Sequence, residues 1–148
     1  APYNNGYQNF RTMLFAMLLQ VVCCAGCNAQ TSSELVNTKW VWERQRGNEI
    51  MEFSIDSIRF SSYNVYTKRT ITYSKPYYLS DTKTGSFDFE KVGKNTSGLF
   101  LHCWNKKLRE NEYCEITELT GNTLVLFFEA RSNHIGSEDT YVTYKRIK

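Results

Sequence analysis

The stretch "ITELTGNTLVLFF", residues 116–128, carries the strongest local signal for secondary structure in this chain. Two runs rich in apolar and β-branched residues flank Gly121-Asn122, a dipeptide that suits a tight primed turn between antiparallel strands. The second run, "LVLFF" (124–128), is apolar on both of its alternating faces. We therefore predict a β-hairpin whose second strand lies in the middle of a sheet and is covered on its outer side. The alternative is that this strand carries aromatic side chains to a groove.

Similar short runs lie on both sides of this hairpin, and their spacing is typical of β-sandwiches and β-barrels. No window shows an apolar stripe long enough for a major helix, although 32–37 and 105–112 each suit one helical turn. Links of hairpin length favour an all-β fold, a single antiparallel up-and-down barrel of about 8–10 strands, because closure removes unpaired sheet edges. The predicted strands are 38–45, 49–54, 57–61, 64–74, 77–80, 85–92, 98–104, 112–119, 123–130 and 139–147.

Three of these strands have boundaries or faces that depend on particular residues. Gly47-Asn48 is expected to form the turn after the first strand, and Pro76 is expected to end the long fourth one. In 85–92, Phe87 and Phe89 alternate with acidic residues, which predicts a strand with one apolar face.

The composition indicates one domain with an ordinary surface. The chain has 148 residues, a formal net charge of +3 and 15% aromatic residues. Its Lys and Arg residues are scattered among Asp and Glu instead of forming a basic stripe, so we expect no nucleic-acid partner.

Residues 13–25 form an apolar run with the length of a signal-peptide core, short of the roughly 20 residues that a membrane-spanning helix needs. The tripeptide Ala25-Gly26-Cys27 at its end resembles the small–small–Cys motif of the bacterial lipobox. The resemblance implies that 1–26 is a lipoprotein-type signal peptide and that the sulfur of Cys27 is acylated after cleavage. A plain secretory signal is the alternative. A zinc cluster formed by Cys23, Cys24 and Cys27 is disfavoured, because no Cys or His pair stands at finger spacing from them.

Asn28 follows the cysteine, where Asp marks inner-membrane retention in enterobacterial sorting. By that analogy we expect a lipid-anchored protein of the outer membrane, facing either the periplasm or the surface. Residues 27–36 then form a lipidated tether, and 37–148 form the barrel domain.

Three motifs of the mature chain resemble, in the same order, the lipocalin-like lipoproteins common in Bacteroidetes. They are "NTKWVW" (37–42), "ITELTGNTLVL" (116–126) and "YVTYKRI" (141–147). The resemblance implies a lipocalin-like barrel. It also implies that Trp40 on the first strand lies under a basic residue of the last strand, Arg146 or, as second choice, Lys145. Such a cation–π contact is worth roughly 0.5–2 kcal/mol and joins the first strand to the last. Thr38 stands where the superfamily has Gly, and the alternative role for Trp40 is simply to fill the core.

Cys103 and Cys114 are the remaining cysteines of the mature chain. A hairpin centred between 108 and 109 would place them directly opposite each other. Opposed Cβ atoms lie about 4.5–5.5 Å apart, close to what a bridge needs. A cross-strand disulfide is therefore expected to be feasible, and two buried free thiols are the alternative.

The many aromatic residues either fill the lumen or line a pocket for one small ligand, since an eight-stranded barrel is wide enough for either. The candidate pocket residues are Tyr66, Tyr73, Phe89, Trp104 and Phe127. Two functions follow: a binder of a small apolar or amphipathic ligand, or an envelope interaction or inhibitor module with a packed barrel and an unknown protein partner.

We expect no catalytic site, metal or cofactor. The two histidines, His102 and His134, are far apart in sequence, and neither a nucleophile elbow nor a His-Glu-x-x-His motif accompanies them. His102 reads as a face-filling or rim residue and His134 as a loop residue.

The lipobox interpretation predicts that a bacterial host supplied with an alkyne fatty acid labels the protein, and that Cys27→Ser abolishes labelling. Cys24→Ser is the matched control, because Cys24 leaves with the signal peptide and its variant should label normally. Labelling that persists in Cys27→Ser would contradict acylation at this sulfur.

Overall fold

Eight antiparallel strands close into a barrel in the computed structural model, which describes residues 29–130 and 138–148. The described residues form ten strands, of which β1 and β6 make a separate two-stranded sheet and the other eight make the barrel. They are β1 Gln30–Thr31, β2 Lys39–Arg44, β3 Gly47–Phe53, β4 Ser57–Asn64, β5 Arg69–Ser80, β6 Ser97–Gly98, β7 Phe100–Asn105, β8 Glu110–Leu119, β9 Thr123–Phe128 and β10 Thr140–Ile147. β2 to β5 and β7 to β10 follow one another around the barrel, and β10 closes it by pairing with both β9 and β2. The predicted all-β antiparallel barrel is confirmed.

The hairpin predicted at Gly121-Asn122 joins β8 to β9. Leu119 pairs with Leu124, and the backbone nitrogen of Thr120 donates to the carbonyl of Thr123 at 2.9 Å. Leu124 and Leu126 are buried, whereas Phe127 lies on the outer face, where its ring centroid is 4.7 Å from that of Tyr141. β9 is thus flanked by strands on both sides, as its apolar sequence predicts.

Several predicted boundaries are wrong. The strand predicted at 64–74 is interrupted by the turn 65–68, and its second half is continuous with the strand predicted at 77–80, so that both belong to β5. Gly47-Asn48 begins β3 instead of forming the turn, which lies at 45–46. A Cβ at Gly47 would lie 1.8 Å from the carbonyl oxygen of Tyr63, so glycine is needed here for the close approach of β4. Pro76 lies inside β5 because Ser57–Pro76 is the last pair with β4 and pairing with β7 starts at Tyr77, so its missing N–H interrupts neither ladder.

The strand predicted at 85–92 is also wrong, because this segment belongs to a loop outside the barrel. The carboxylate of Asp88 accepts from the backbone nitrogen of Glu90 at 3.1 Å and caps a 3-10 helix, Phe89–Lys91. Such local bonds compete with pairing in a sheet. We call residues 81–96 the β5–β7 loop; it covers the outer face of β5, β7 and β8.

His102 and Asn111 hold the β5–β7 loop to the barrel. The Nε2 of His102 donates to the carbonyl of Thr82 at 2.9 Å, and its Nδ1 accepts from Nδ2 of Asn111 at 3.0 Å. The same Asn111 nitrogen donates to the carbonyl of Thr84 at 2.7 Å. His102 is fully buried and stacks on Tyr78, and burial lowers its pKa. This arrangement requires a neutral imidazole.

One end of the barrel, the closed end, is sealed by a short helix, α1 Ser32–Leu35, whose Leu35 is fully buried. The backbone nitrogen of Ser32 donates to the carbonyl of Thr96 at 2.8 Å, and β1 pairs with β6. The tether predicted at 27–36 is therefore too long, since the chain is part of the fold from Gln30 onward. Within 29–130 and 138–148, no helix has the length and apolar character needed to cross a membrane.

The His102 contacts predict that the free energy of unfolding falls as pH drops below about 6.5, with a slope of at most about 1.4 kcal/mol per pH unit. The reason is that the unfolded chain binds a proton on His102 near its ordinary pKa, whereas the folded state has a lowered pKa and resists protonation. Urea unfolding between pH 5 and 7.5 measures this slope.

The matched comparison is His102→Gln, made like the parent in a His134→Gln background so that no other histidine titrates. The variant should be less stable at neutral pH and should have a flatter pH dependence. Equal slopes in the two proteins would contradict the role of His102.

Candidate functional site

The closed end brings together the two residues expected to join the first strand to the last. Arg146 of β10 pairs directly with Trp40 of β2, and its guanidinium carbon lies 5.8 Å from the centroid of the indole ring. Trp40 is fully buried, and its Nε1 donates to the hydroxyl of Thr38 at 2.7 Å. Thr38 in turn donates to the carbonyl of Leu35. Thr38 thus links the indole to α1, and this end has a structural role.

The opposite end, the open end, contains a cavity of about 500 Å³ between the inner faces of the strands. It lies at the end where the turns 45–46, 65–68 and 106–109 connect strands. Apolar and sulfur-containing side chains form part of its wall: Met51, Phe60, Leu101, Cys103, Leu108, Cys114, Leu126 and Phe128. Polar residues complete it: Glu49, Tyr73, Lys75, Glu110, Glu112, Glu129, Glu138 and Tyr144. The lumen is therefore apolar and charged at once.

Glu49 and two tyrosines form one polar part of the wall. The hydroxyl of Tyr144 donates to the Glu49 carboxylate at 2.8 Å. Burial, followed by the negative charge of Glu49, raises the pKa of Tyr144 well above its ordinary value, and the same two causes raise the pKa of Tyr73. Both phenols therefore stay neutral at physiological pH, and Glu49 is the charged group of this part of the wall.

Lys75 and Glu112 form the other polar part of the wall. Nζ of Lys75 contacts Oε2 of Glu112, and Nδ2 of Asn105 donates to the other oxygen of that carboxylate at 2.6 Å. The same Nζ lies 5.7 Å from the ring centroids of both Phe60 and Tyr73, which stack on each other at 5.1 Å. The wall thus already accommodates one ammonium group by an ion pair and by two aromatic faces.

Of the five pocket residues proposed from sequence, only Tyr73 lines this cavity. Trp104 points outward, because it alternates with the inward-facing Cys103, and it packs with Phe89 of the β5–β7 loop at 5.2 Å. Phe127 also points outward, between the inward-facing Leu126 and Phe128. Tyr66 lies in the turn after β4 and is 74% exposed. The assignment of the other four residues to the pocket is therefore wrong, because none of them lines the cavity: Tyr66, Phe89, Trp104 and Phe127.

Sequence reasoning missed the charged residues of the wall, among them Glu49, Lys75 and Glu112. A charged residue on a half-buried strand usually faces solvent, so charge alone does not mark a residue of the lumen. A usable signal was strand parity: Glu49 shares a face with Met51 and Phe53, both of which are buried.

Cys103 and Cys114 are not directly opposite each other, and both are buried free thiols. Cys103 pairs with Glu112, and Cys114 pairs with Leu101, because the β7–β8 hairpin is centred one residue earlier than expected. The two cysteines are therefore diagonal neighbours, a position whose typical separation of about 7–8 Å is too long for a bridge. Burial raises the pKa of Cys103 to about 12, so its thiol is protonated and weakly nucleophilic at neutral pH.

Within the two described ranges, no group of three or more His, Cys, Asp or Glu side chains is arranged to hold a metal ion. Comparison of the chain with protein-family models, with curated proteins and with solved structures finds no match.

The register predicts that Cys103 and Cys114 both react with iodoacetamide when the purified protein is denatured without reductant. Peptide mass mapping locates the label on each residue, so the other cysteines do not interfere. A peptide pair joined through these two residues would contradict the register of β7 and β8.

Proposed function

We propose that this protein is a lipid-anchored barrel that binds a small amphipathic molecule in its open-end cavity. The observation that carries the proposal is the cavity itself, since about 500 Å³ falls within the range of roughly 300–1,000 Å³ typical of small-molecule sites. A ligand of that size can bury an apolar part against aliphatic and aromatic side chains and keep a polar part near charged groups. The function is binding, with no catalytic role assigned to any residue.

The distribution of packing along the barrel supports this proposal. The closed end is filled by Leu35, Trp40, Phe53 and Tyr77, each at most 3% exposed. The closed end and the buried inner residues between the two ends can therefore stabilise the fold, so the cavity at the open end need not be filled by side chains. A barrel that served only as a rigid scaffold would gain stability by filling this space with side chains.

The anchor is the part of the proposal that rests on sequence. Cys27 lies outside the described residues, and the support for its acylation is the resemblance of Ala25-Gly26-Cys27 to a lipobox at the end of an apolar run. An outer-membrane location is proposed on the same basis, from Asn28 after the cysteine.

A protein-interaction module is the second candidate, and exposed apolar side chains near the open end favour it. Tyr66, Ile71, Leu108 and Tyr141 are each 59–74% exposed. The same side chains would also serve a binder, by contacting the apolar part of a ligand as it enters.

The binding proposal predicts saturable fluorescence enhancement of the neutral dye Nile red by the protein. Filling the cavity with two rings, in Cys103→Phe/Cys114→Phe, should weaken dye binding at least about tenfold, because the dye loses the space and the apolar wall it would occupy. Circular dichroism establishes that the variant keeps its strands.

The matched control is Val125→Phe/Thr143→Phe, which adds two rings at a directly paired position on the outer face of β9 and β10. Its dye affinity should stay within about twofold of the parent value. Absence of saturable binding to the parent, or equal losses in the two folded variants, would contradict binding in the cavity.

A further inference from the structure

We infer that the open-end cavity selects a positively charged amphipath, with an alkylated or primary ammonium head group paired to Glu49. This inference rests on the proposed binding function and adds the chemical class of the ligand. It depends on the charges that line the cavity, on the way the wall holds the protein's own ammonium group, and on the partners of Glu49.

The described wall of the cavity is net anionic although the protein is not. The whole chain has a formal net charge of +3, yet among the described residues five glutamates and one lysine line this space. Two of these glutamates are ion-paired, Glu112 with Lys75 and Glu129 with Lys83. A partly enclosed cleft of low dielectric concentrates such a field and raises the local concentration of a cation. The same field opposes entry of a fatty-acid carboxylate, a phosphate or a sulfate ester.

The cavity wall already demonstrates the chemistry that an ammonium head group requires. Lys75 places its Nζ against the Glu112 carboxylate and 5.7 Å from the centroids of two stacked rings, Phe60 and Tyr73. A carboxylate beside aromatic faces is the arrangement that recognises lysine and quaternary ammonium groups. The ion pair between Lys75 and Glu112 does not involve the other glutamates of the cavity, and it shows that a cation is stable inside the barrel.

Lys75 neutralises Glu112, whereas Glu49 has no ion pair among residues 29–130 and 138–148. The contact of its carboxylate is the neutral hydroxyl of Tyr144. The rim cation Arg44, on the neighbouring strand, stacks on Trp42 at 4.7 Å and donates to Ser62 at 2.9 Å. A ligand ammonium would supply the missing counter-charge of Glu49 and would meet the ring of Tyr73 on the same wall.

The apolar wall determines the rest of the ligand. Met51, Leu101 and Leu126 are almost fully buried and also line the cavity, so an aliphatic or aromatic tail can lie against them. Burying a tail contributes affinity in proportion to its area, and the ion pair to Glu49 then sets which head group is accepted. A small inorganic cation has no tail and would therefore lack the affinity that burial of a tail contributes.

The test uses three single-chain detergents of equal tail length, each below its micelle concentration: decyltrimethylammonium, decyl sulfate and the neutral decyl maltoside. Isothermal titration of the full chain, as the host processes it, should show the cation binding at least about tenfold more tightly than the sulfate. Glu49→Gln should weaken binding of the cation about five- to tenfold and change binding of the maltoside less than about twofold.

Glu43→Gln is the matched control, because it removes the same charge from an exposed residue on the outer face of β2. Its affinity for the cation should stay within about twofold of the parent. Glutamine at position 49 can still accept from Tyr144, so the variant tests the charge and keeps the hydrogen bond.

The outcomes distinguish a failure of the inference about the ligand's charge from a failure of the proposed binding function. Binding of all three detergents with equal affinity, or preference for the sulfate, would overturn the inference and leave small-ligand binding intact. A cation preference that survives Glu49→Gln unchanged would overturn the assignment to Glu49. Failure of the detergents and of Nile red alike would overturn the proposed function itself.

Discussion

The structure depends on one joint, the pairing of β10 with β2. Arg146 lies directly opposite Trp40 in this ladder, and its guanidinium covers the indole from the barrel end. Closure gives every strand of the barrel two neighbours, which removes the unpaired edges of an open sheet. It also fixes which face of each strand is interior, because residues that pair directly point to the same side. The hydrogen bond from Trp40 to Thr38, and from Thr38 to Leu35, ties this joint to the helix that fills the closed end.

Much of the fold could be read from the sequence because strands and tight turns have local signals. Gly121-Asn122 and the alternating runs around it sufficed to predict the β8–β9 hairpin. The faces were harder to assign, because several strands are apolar on both sides. β7 carries Leu101 and Cys103 inward and His102 and Trp104 outward, and all four belong to packed clusters. The outward face of β7 is apolar because the β5–β7 loop packs on it. The sequence of that loop resembles a strand, so the sequence alone does not reveal this cover.

The candidate site was harder to predict for the same reason. Its position in the lumen follows from the barrel, but its charged residues follow from register. Glu112 lies opposite Cys103, whereas a hairpin centred one residue later would have placed Cys114 opposite Cys103 and Glu112 opposite Asn105, on the same face but nearer the mouth. Long-range pairing decides this register, and no local pattern in 105–112 specifies it. Once the register is known, two carboxylates of the lumen can be compared. Lys75 neutralises the charge of Glu112, whereas the carboxylate of Glu49 is contacted by a hydroxyl alone, that of Tyr144, among the described residues.

The position of β1 has a consequence for how the molecule would stand on a bilayer. The first strand, β1, begins at Gln30 and lies beside β6 at the sealed end of the barrel. Gln30 lies three positions after the proposed acylated Cys27, and a fully extended chain over that distance spans about 10 Å. The acyl chains would therefore hold the sealed end near the lipid headgroups, and the residues that line this end include Arg146, Lys148 and the ion pair of Lys39 with Glu52. The mouth would point away from the membrane, so that cargo would be exchanged with the aqueous compartment and not drawn directly from the lipid leaflet.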